Sequence, residues 1–385
     1  MSKTLKLASL VSLMTLSPAL LATASAADLN VVASFSIIAD LAQNVGGDRV
    51  EITTIVGPDG DAHVYEPKPA DAVAMSKADV VLVNGLDFEG FLSRLVETSA
   101  TAAPVVELTR GVTPMRLADE PAGHAHPEDE AAKQAGHHHG EYDPHAWQSI
   151  ANAEIYVKNI ADAFCGADKA GCATYTANAT TYLDKLATLE TAVKTSIAGI
   201  PKEKRVIITS HDAFGYFEHA YGLEFLAPEG ISTESEASAA DVAKLVDQVR
   251  HDKASAIFLE NVTNASLIRQ IANETGLKVG GTLYSDALSE ETGPASTYID
   301  MVHHNIETIK APFWSAKLQD AKVEAFASAL PASPRRHLNG CAVRPRAPSP
   351  PCCGRCALRH RARNRLHAAR REYRYLRCWT QLFRR

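Results

Sequence analysis

From Ala173 to Ile197 the chain contains neither proline nor glycine, and its apolar residues fall on one stripe. Tyr175, Ala179, Tyr182, Leu186, Leu189, Val193 and Ile197 recur at spacings of three and four, the period of a single helical face. The spacing predicts one long helix, roughly 35–40 Å at 1.5 Å per residue. A rod of that length divides the chain: the segments before and after it must each fold against it. A continuous helix also joins two parts more stiffly than flexible hinge strands do, so motion between them should be small.

Both flanks repeat one pattern. Before the rod, Leu29 to Phe35, Glu51 to Val56, Val80 to Val83 and Pro104 to Leu108 read as strands, and Ile37 to Val45, Pro69 to Lys77 and Phe88 to Thr98 as helices. After Pro201, strands over Arg205 to Thr209, Glu224 to Leu226, Ala256 to Glu260 and Lys278 to Thr282 alternate with helices over Ala213 to Tyr221, Ala239 to Arg250, Ala265 to Thr275 and Ser296 to Ile309. Such alternation predicts an α/β chain of two lobes, each a mainly parallel sheet flanked by helices, joined by the long rigid linking helix. The expected division is an N-terminal lobe over 27–150, linking helices over 151–200 and a C-terminal lobe over 201–330.

The two ends differ from this body. Lys3 and Lys6, an apolar run from Leu7 to Leu21 and the small residues Ala24-Ser25-Ala26 form a secretory leader over 1–26, so the expected destination is the periplasm. The apolar run is too short and broken for a spanning helix of about 20 residues, and no cysteine stands at the cleavage site to carry a lipid. From Pro331 to the end there are 15 Arg, no Lys, no Asp and one acidic residue, Glu372, together with five of the seven Cys. A basic arm and a Cys-rich metal knuckle are two readings of that tail, but Cys352 to Cys356 lacks a paired C-x-x-C partner. The expectation is an aberrant, disordered tail over 331–385, translated out of frame from GC-rich DNA, a source that favours Arg, Pro, Ala and Cys and avoids Lys.

Between these ends, residues 27–330 hold 22 Lys and Arg against 44 Asp and Glu, a net charge of −22. An acidic body argues against nucleic acid as a partner and suits a collector of cations. Its only two cysteines, Cys165 and Cys172, flank a turn-like loop and in an oxidising compartment are expected to form a local disulfide. The segment 119–142 has almost no apolar residue and carries His124, His126, His137, His138 and His139 among acidic neighbours, so it reads as a mobile, acidic surface loop that collects metal weakly.

Four short motifs, far apart, each present one good metal ligand beside a turn: His63 in Asp61 to Pro67, His145 in Asp143 to Trp147, His211 in Ser210 to Phe217 and Asp286 in Tyr284 to Ser289. Three imidazoles and a carboxylate suit a tetrahedral divalent site with no position left open for chemistry. Taken singly, each has an ordinary explanation: a helix cap, a packed ring, an exposed turn. As a set they gain weight, because His63, His211 and Asp286 each follow a strand, and ligands of open α/β sheets bind beyond the carboxyl ends of strands. Two from each lobe would place an ion between the lobes. Glu66 and Asp212 adjoin ligands and are candidates to orient an imidazole from behind.

These segments, with Gly230 to Ala240 and Gly280 to Asp300, resemble the metal-receptor class of ABC-transporter substrate-binding proteins, the zinc/manganese solute-binding family. The resemblance runs from Ala27 to about Leu330 and leaves out the tail. It implies two α/β lobes, a rigid linking helix, and an interlobe metal site whose ligands fall on His63, His145, His211 and Asp286. The acidic, His-rich loop resembles that of the zinc importers. Manganese-type members are expected to carry Glu where this chain has His211, so Zn2+ is the expected cargo and Mn2+ the alternative. The function implied is capture of periplasmic Zn2+ by a monomer and delivery to an ABC permease in the membrane. A metal-dependent adhesin on the same fold is a further reading. An exported zinc hydrolase is the rival from another class, but there is no H-E-x-x-H and no Gly-x-Ser-x-Gly, and a fourth ligand would close the site. No enzyme activity is expected.

Overall fold

The computed structural model of the chain describes residues 29–117, 140–235 and 237–329. The expected leader, the five histidines from His124 to His139 and the Arg- and Cys-rich tail lie outside the described residues.

The first lobe runs β1 (Leu29–Phe35), α1 (Ser36–Gly46), β2 (Val50–Val56), α2 (Pro69–Lys77), β3 (Val80–Val83), α3 (Leu92–Ser99) and β4 (Val105–Glu107). In β1 every residue but Asn30 is buried, and β3 is buried throughout. Unbroken apolar runs of this kind belong to strands covered on both faces, which is the condition of a parallel sheet. Helix α1 turns Ile37, Ile38, Leu41, Ala42 and Val45 onto that sheet.

Two helices come next, α4 (Ile150–Ala167) and α5 (Cys172–Ala198). The second lobe then runs β5 (Val206–Ile208), α6 (Gly215–Tyr221), β6 (Glu224–Leu226), α7 (Ala239–Asp252), β7 (Ala256–Glu260), α8 (Ala265–Thr275), β8 (Val279–Leu283) and α9 (Tyr298–Ala329). Every strand pairing is parallel, with the order β2-β1-β3-β4 in one sheet and β6-β5-β7-β8 in the other. The lobes thus share one topology. In each, the winding reverses beside the first strand, which opens a crevice at the carboxyl ends of β1 and β3 in one lobe and of β5 and β7 in the other.

Helix α5 is the predicted rod, about 40 Å long at 1.5 Å per residue. Its buried residues are the seven of the sequence stripe, from Tyr175 to Ile197. Near its start Asn178 donates to the carbonyl of Val45 in the first lobe, and near its end Glu190 accepts a hydrogen bond from Tyr221 of α6 in the second. A disulfide joins Cys165 in α4 to Cys172 at the start of α5.

The apolar core crosses from lobe to lobe, taking in Phe35, Trp147, Phe214, Phe225 and Tyr298. A smaller cluster, with Ile208, Leu245, Val249, Ile257, Ile268 and Ile271, belongs to the second lobe alone. Polar ties cross the same seam: Trp147 Nε1–H donates to the Ser285 carbonyl (2.9 Å), the Leu288 N–H to Ser36 Oγ (2.9 Å), and the Asp59 N–H to the Leu288 carbonyl (2.8 Å).

Two helices depart from the sequence reading. α3 begins at Leu92 rather than Phe88, because Leu86 and Asp87 adopt left-handed backbone and Glu89 is spent on the preceding turn. α9 continues through Pro312 to Ala329 rather than stopping near Ile309, since the stretch beyond the proline contains no further proline or glycine. Among the described residues no helix is long and apolar enough to cross a membrane.

Candidate metal centre

The four candidate ligands come together in the seam between the lobes. His63 lies in the loop after β2, His145 just before α4, His211 in the loop after β5 and Asp286 in the loop after β8. One potential donor atom from each lies within 4.8 Å of every other. His63 Nε2 is 3.3 Å from His145 Nε2 and 3.4 Å from Asp286 Oδ2, while His211 Nε2 is 3.0 Å from the same Oδ2. The His145 ring reaches the other oxygen, Oδ1, at 3.7 Å. A tetrahedron with zinc–nitrogen bonds of 2.0–2.1 Å has edges of about 3.3 Å. The separations of 3.0–3.7 Å lie around that edge, while the cluster as a whole spans up to 4.8 Å.

The surroundings are dry. His145, His211 and Asp286 are fully buried and His63 nearly so, and the ring of Phe88 stands edge-on to His63 with centroids 4.9 Å apart. Trp147 does the same for His145 at 5.3 Å. Asp286 Oδ1 is buried with no hydrogen-bond partner among the described residues. An unpaired buried carboxylate oxygen is costly, and next to three imidazoles it is an arrangement that a cation completes.

Two carboxylates stand behind the rings, and they are not the two that adjacency in sequence pointed to. Asp143 Oδ1 accepts the His145 backbone N–H at 2.8 Å and lies 2.8 Å from the ring Nδ1. Glu260, at the carboxyl end of β7, accepts the backbone N–H groups of Ser210 (2.6 Å) and His211 (3.0 Å) through Oε1. Its Oε2 lies 2.7 Å from His211 Nδ1, an ion-pair contact rather than a well-aligned hydrogen bond. Each carboxylate therefore fixes its ring so that Nε2 points into the site. Glu66, by contrast, does not reach an imidazole: its side chain is exposed and pairs with Arg94 at 3.0 Å. Asp212 is buried beside His211, its backbone N–H donating to the Gly230 carbonyl, but the carboxylate against the His211 ring is Glu260. In sequence Glu260 shows only as the last residue of a strand, while Asp143 stands two residues from His145.

These charges bias the protonation of the cluster. At His211 burial works against the charged ring, but Glu260 and Asp286 on either side outweigh it and raise its pKa well above the ordinary value. Burial pushes the His63 pKa down, with Asp286 opposing and the other two rings reinforcing. For Asp286, burial disfavours the charge, yet His211 and His145 hold its pKa well below the usual carboxylate range. The charged form of His211 is thus favoured, between two carboxylates.

Glycine is required at one point of this framework. A Cβ at Gly215, the first residue of α6, would stand 2.8 Å from Asp143 Oδ2. Asp143 is fully buried and cannot retreat without letting go of His145. Gly215→Ala is therefore expected to weaken metal binding by about tenfold, the lower end of what losing an orienting partner costs. Competition against a calibrated chelator measures it, and an unchanged affinity would show that Asp143 does not depend on the space at Gly215.

Comparison with known proteins gives concordant matches. Residues 31–311 match the model of the family described as "Zinc-uptake complex component A periplasmic". The chain is 33% identical to the iron-binding protein YfeA of Yersinia pestis over 289 residues, covering 75% of this chain and 88% of that one. It is 35% identical to the manganese-binding lipoprotein MntA of Halalkalibacterium halodurans over 280 residues, covering 73% and 87%. Among solved structures it superposes on the periplasmic zinc binding protein TroA of Treponema pallidum with a TM-score of 0.65, at 28% identity and covering 74% of this chain and 99% of that one.

Proposed function

The chain belongs to the periplasmic zinc-uptake component A family, and from that premise and the site geometry we propose that it captures Zn2+ between its lobes and delivers it to an ABC permease. The observation that carries this reading is the convergence of His63, His145, His211 and Asp286, with Asp286 Oδ1 buried and unpaired in their midst. Three neutral imidazoles and one carboxylate are a zinc-like donor set, borderline-soft and content with four ligands. A site with four protein donors leaves no place for a reactive water, so the role is binding rather than catalysis.

The ligands divide between the lobes, two and two, so a small separation of the lobes pulls the pairs apart. Docking on the permease would supply that separation. The long helix and the continuous core keep the movement small. The protein works as an exported monomer. The MntA relative is named a lipoprotein, whereas here Ala27 follows the small residues Ala24-Ser25-Ala26 where a lipid-bearing cysteine would stand.

Manganese is the second reading. Both oxygens of Asp286 face histidine nitrogens, at 3.0 and 3.7 Å, so the carboxylate can serve as a two-oxygen ligand and raise the coordination number toward what manganese accepts. Titration of the metal-free protein with Zn2+ and Mn2+ against a calibrated chelator separates the two. The expected result is one tight zinc site per chain with manganese competing poorly. Equal or tighter manganese binding would change the cargo and leave the transport role, while the lack of any tight site would overturn capture.

A further inference from the structure

Resting on that reading of the site, we propose that the ion passes in and out by a port in the seam between the lobes, at His63, between the Asp87–Gly90 turn of the first lobe and the Ser232–Glu234 turn of the second. Burial is graded across the four ligands. The side chains of His145, His211 and Asp286 have no accessible surface, whereas that of His63 keeps 5%. An ion approaching from solvent therefore meets His63 first and leaves it last.

A cavity of about 90 Å³ opens at that ring, lined on one side by Asp87, Phe88 and Gly90 and on the other by Ser232 and Glu234. It has room for several waters. One wall is held rigidly. Gly85, Leu86 and Asp87 form a run of left-handed backbone (φ 88°, 55° and 61°), which costs a non-glycine residue about 1–2 kcal/mol each. The buried Glu89 carboxylate holds the turn by accepting Ser34 Oγ–H and the Asn84 N–H, both at 2.6 Å. A contact beside the port ties the other wall to the first lobe. Thr233 Oγ1–H donates to Asp61 Oδ2 at 2.6 Å, and Asp61 Oδ1 accepts the His63 N–H at 2.9 Å. The segment that forms the mouth is thus latched to the ligand it covers, and a parting of the lobes that breaks Thr233–Asp61 widens the port as it loosens His63. Asp87 and Glu234 place two carboxylates at the mouth, where they draw cations inward.

Stopped-flow zinc association and chelator-driven dissociation, on the full chain, test the port with two kinds of variant. Gly90 has no positive φ, and a Cβ there meets nothing within 4 Å, so the backbone accepts a side chain at this lining position and Gly90→Trp serves as the plug. A plug in a passage slows both directions alike: association and dissociation should each fall by about tenfold while the equilibrium constant stays put. In Asp87→Asn/Glu234→Gln, association should slow severalfold at low salt, and the difference from wild type should fade once the Debye length falls to about 3 Å at 1 M. Unchanged rates in both variants, with zinc still bound tightly, would overturn the port and leave the capture reading intact. Unequal rate changes in Gly90→Trp would mean that the ring reaches the ligands, and the charge pair then decides: association equal to wild type at low salt overturns the port. A wild-type chain without a tight zinc site overturns both.

Discussion

Replacing His211 with alanine is expected to weaken zinc binding by about a thousandfold. Structural zinc sites with four protein donors are worth roughly 10–16 kcal/mol, so one donor accounts for about 3–4 kcal/mol, and 4.1 kcal/mol is a thousandfold in Kd. The substitution also damages the metal-free protein. It removes the ring that stands 2.7 Å from Glu260 and 3.0 Å from Asp286, and leaves two buried carboxylates facing an empty space. Removing one partner of a buried ion pair costs about 3–5 kcal/mol. The metal-free variant should therefore melt well below the metal-free parent, while the same substitution at an exposed histidine such as His251 should change neither quantity. Chelator competition and thermal unfolding of both variants read the two effects independently. A variant that keeps nanomolar zinc would remove His211 from the site. One that loses zinc without losing stability would contradict the two-carboxylate clamp.

That clamp marks the boundary of what the chain disclosed before its structure. The stripe from Tyr175 to Ile197 and the unbroken apolar runs in β1 and β3 are local patterns, so helix, strands and parallel sheets were legible in them. The four candidate ligands stood out as a set because each sits in a turn following strand-like or loop sequence. What orients them was not. Glu260 reads in sequence as the last residue of a strand, and only the order β6-β5-β7-β8 puts that strand beside β5, whose loop carries His211. Sheet order is a tertiary property, and nothing in a single strand encodes its neighbour. Glu66 failed for the complementary reason: it is three residues from His63, but the chain has turned outward by then and the carboxylate meets Arg94 in solvent. Asp143 lay in view, two residues from His145, yet its worth depends on burial and on the space left by Gly215, which the sequence does not display.

The second large effect is on pH. Zinc affinity should rise by at least about a hundredfold from pH 5.5 to 7.5, close to one decade per unit for each proton displaced. The reason lies in the proton held by His211. With Glu260 and Asp286 raising its pKa well above the ordinary 6.5 or so, the ring is still protonated near neutrality in the metal-free protein, and zinc must expel that proton to take Nε2. The release therefore continues above the pH at which an ordinary histidine would have finished titrating. His63, with its pKa lowered by burial, gives up its proton in more acid solution than His211 does. Stability of the metal-free protein has the opposite sign. A histidine whose folded pKa is raised contributes stability below its unfolded pKa of about 6.5 and loses it as pH climbs through the folded value. The lowered Asp286 contributes above its unfolded pKa of about 3.9 and loses it only as pH falls through its own folded value. Acidification thus loosens the metal while the empty protein keeps its clamp. Calorimetric zinc titrations at pH 7.5, in two buffers of different ionisation enthalpy, should give close to one proton released per ion bound. A release near zero at that pH would mean that His211 is already neutral and that the two carboxylates do not govern it.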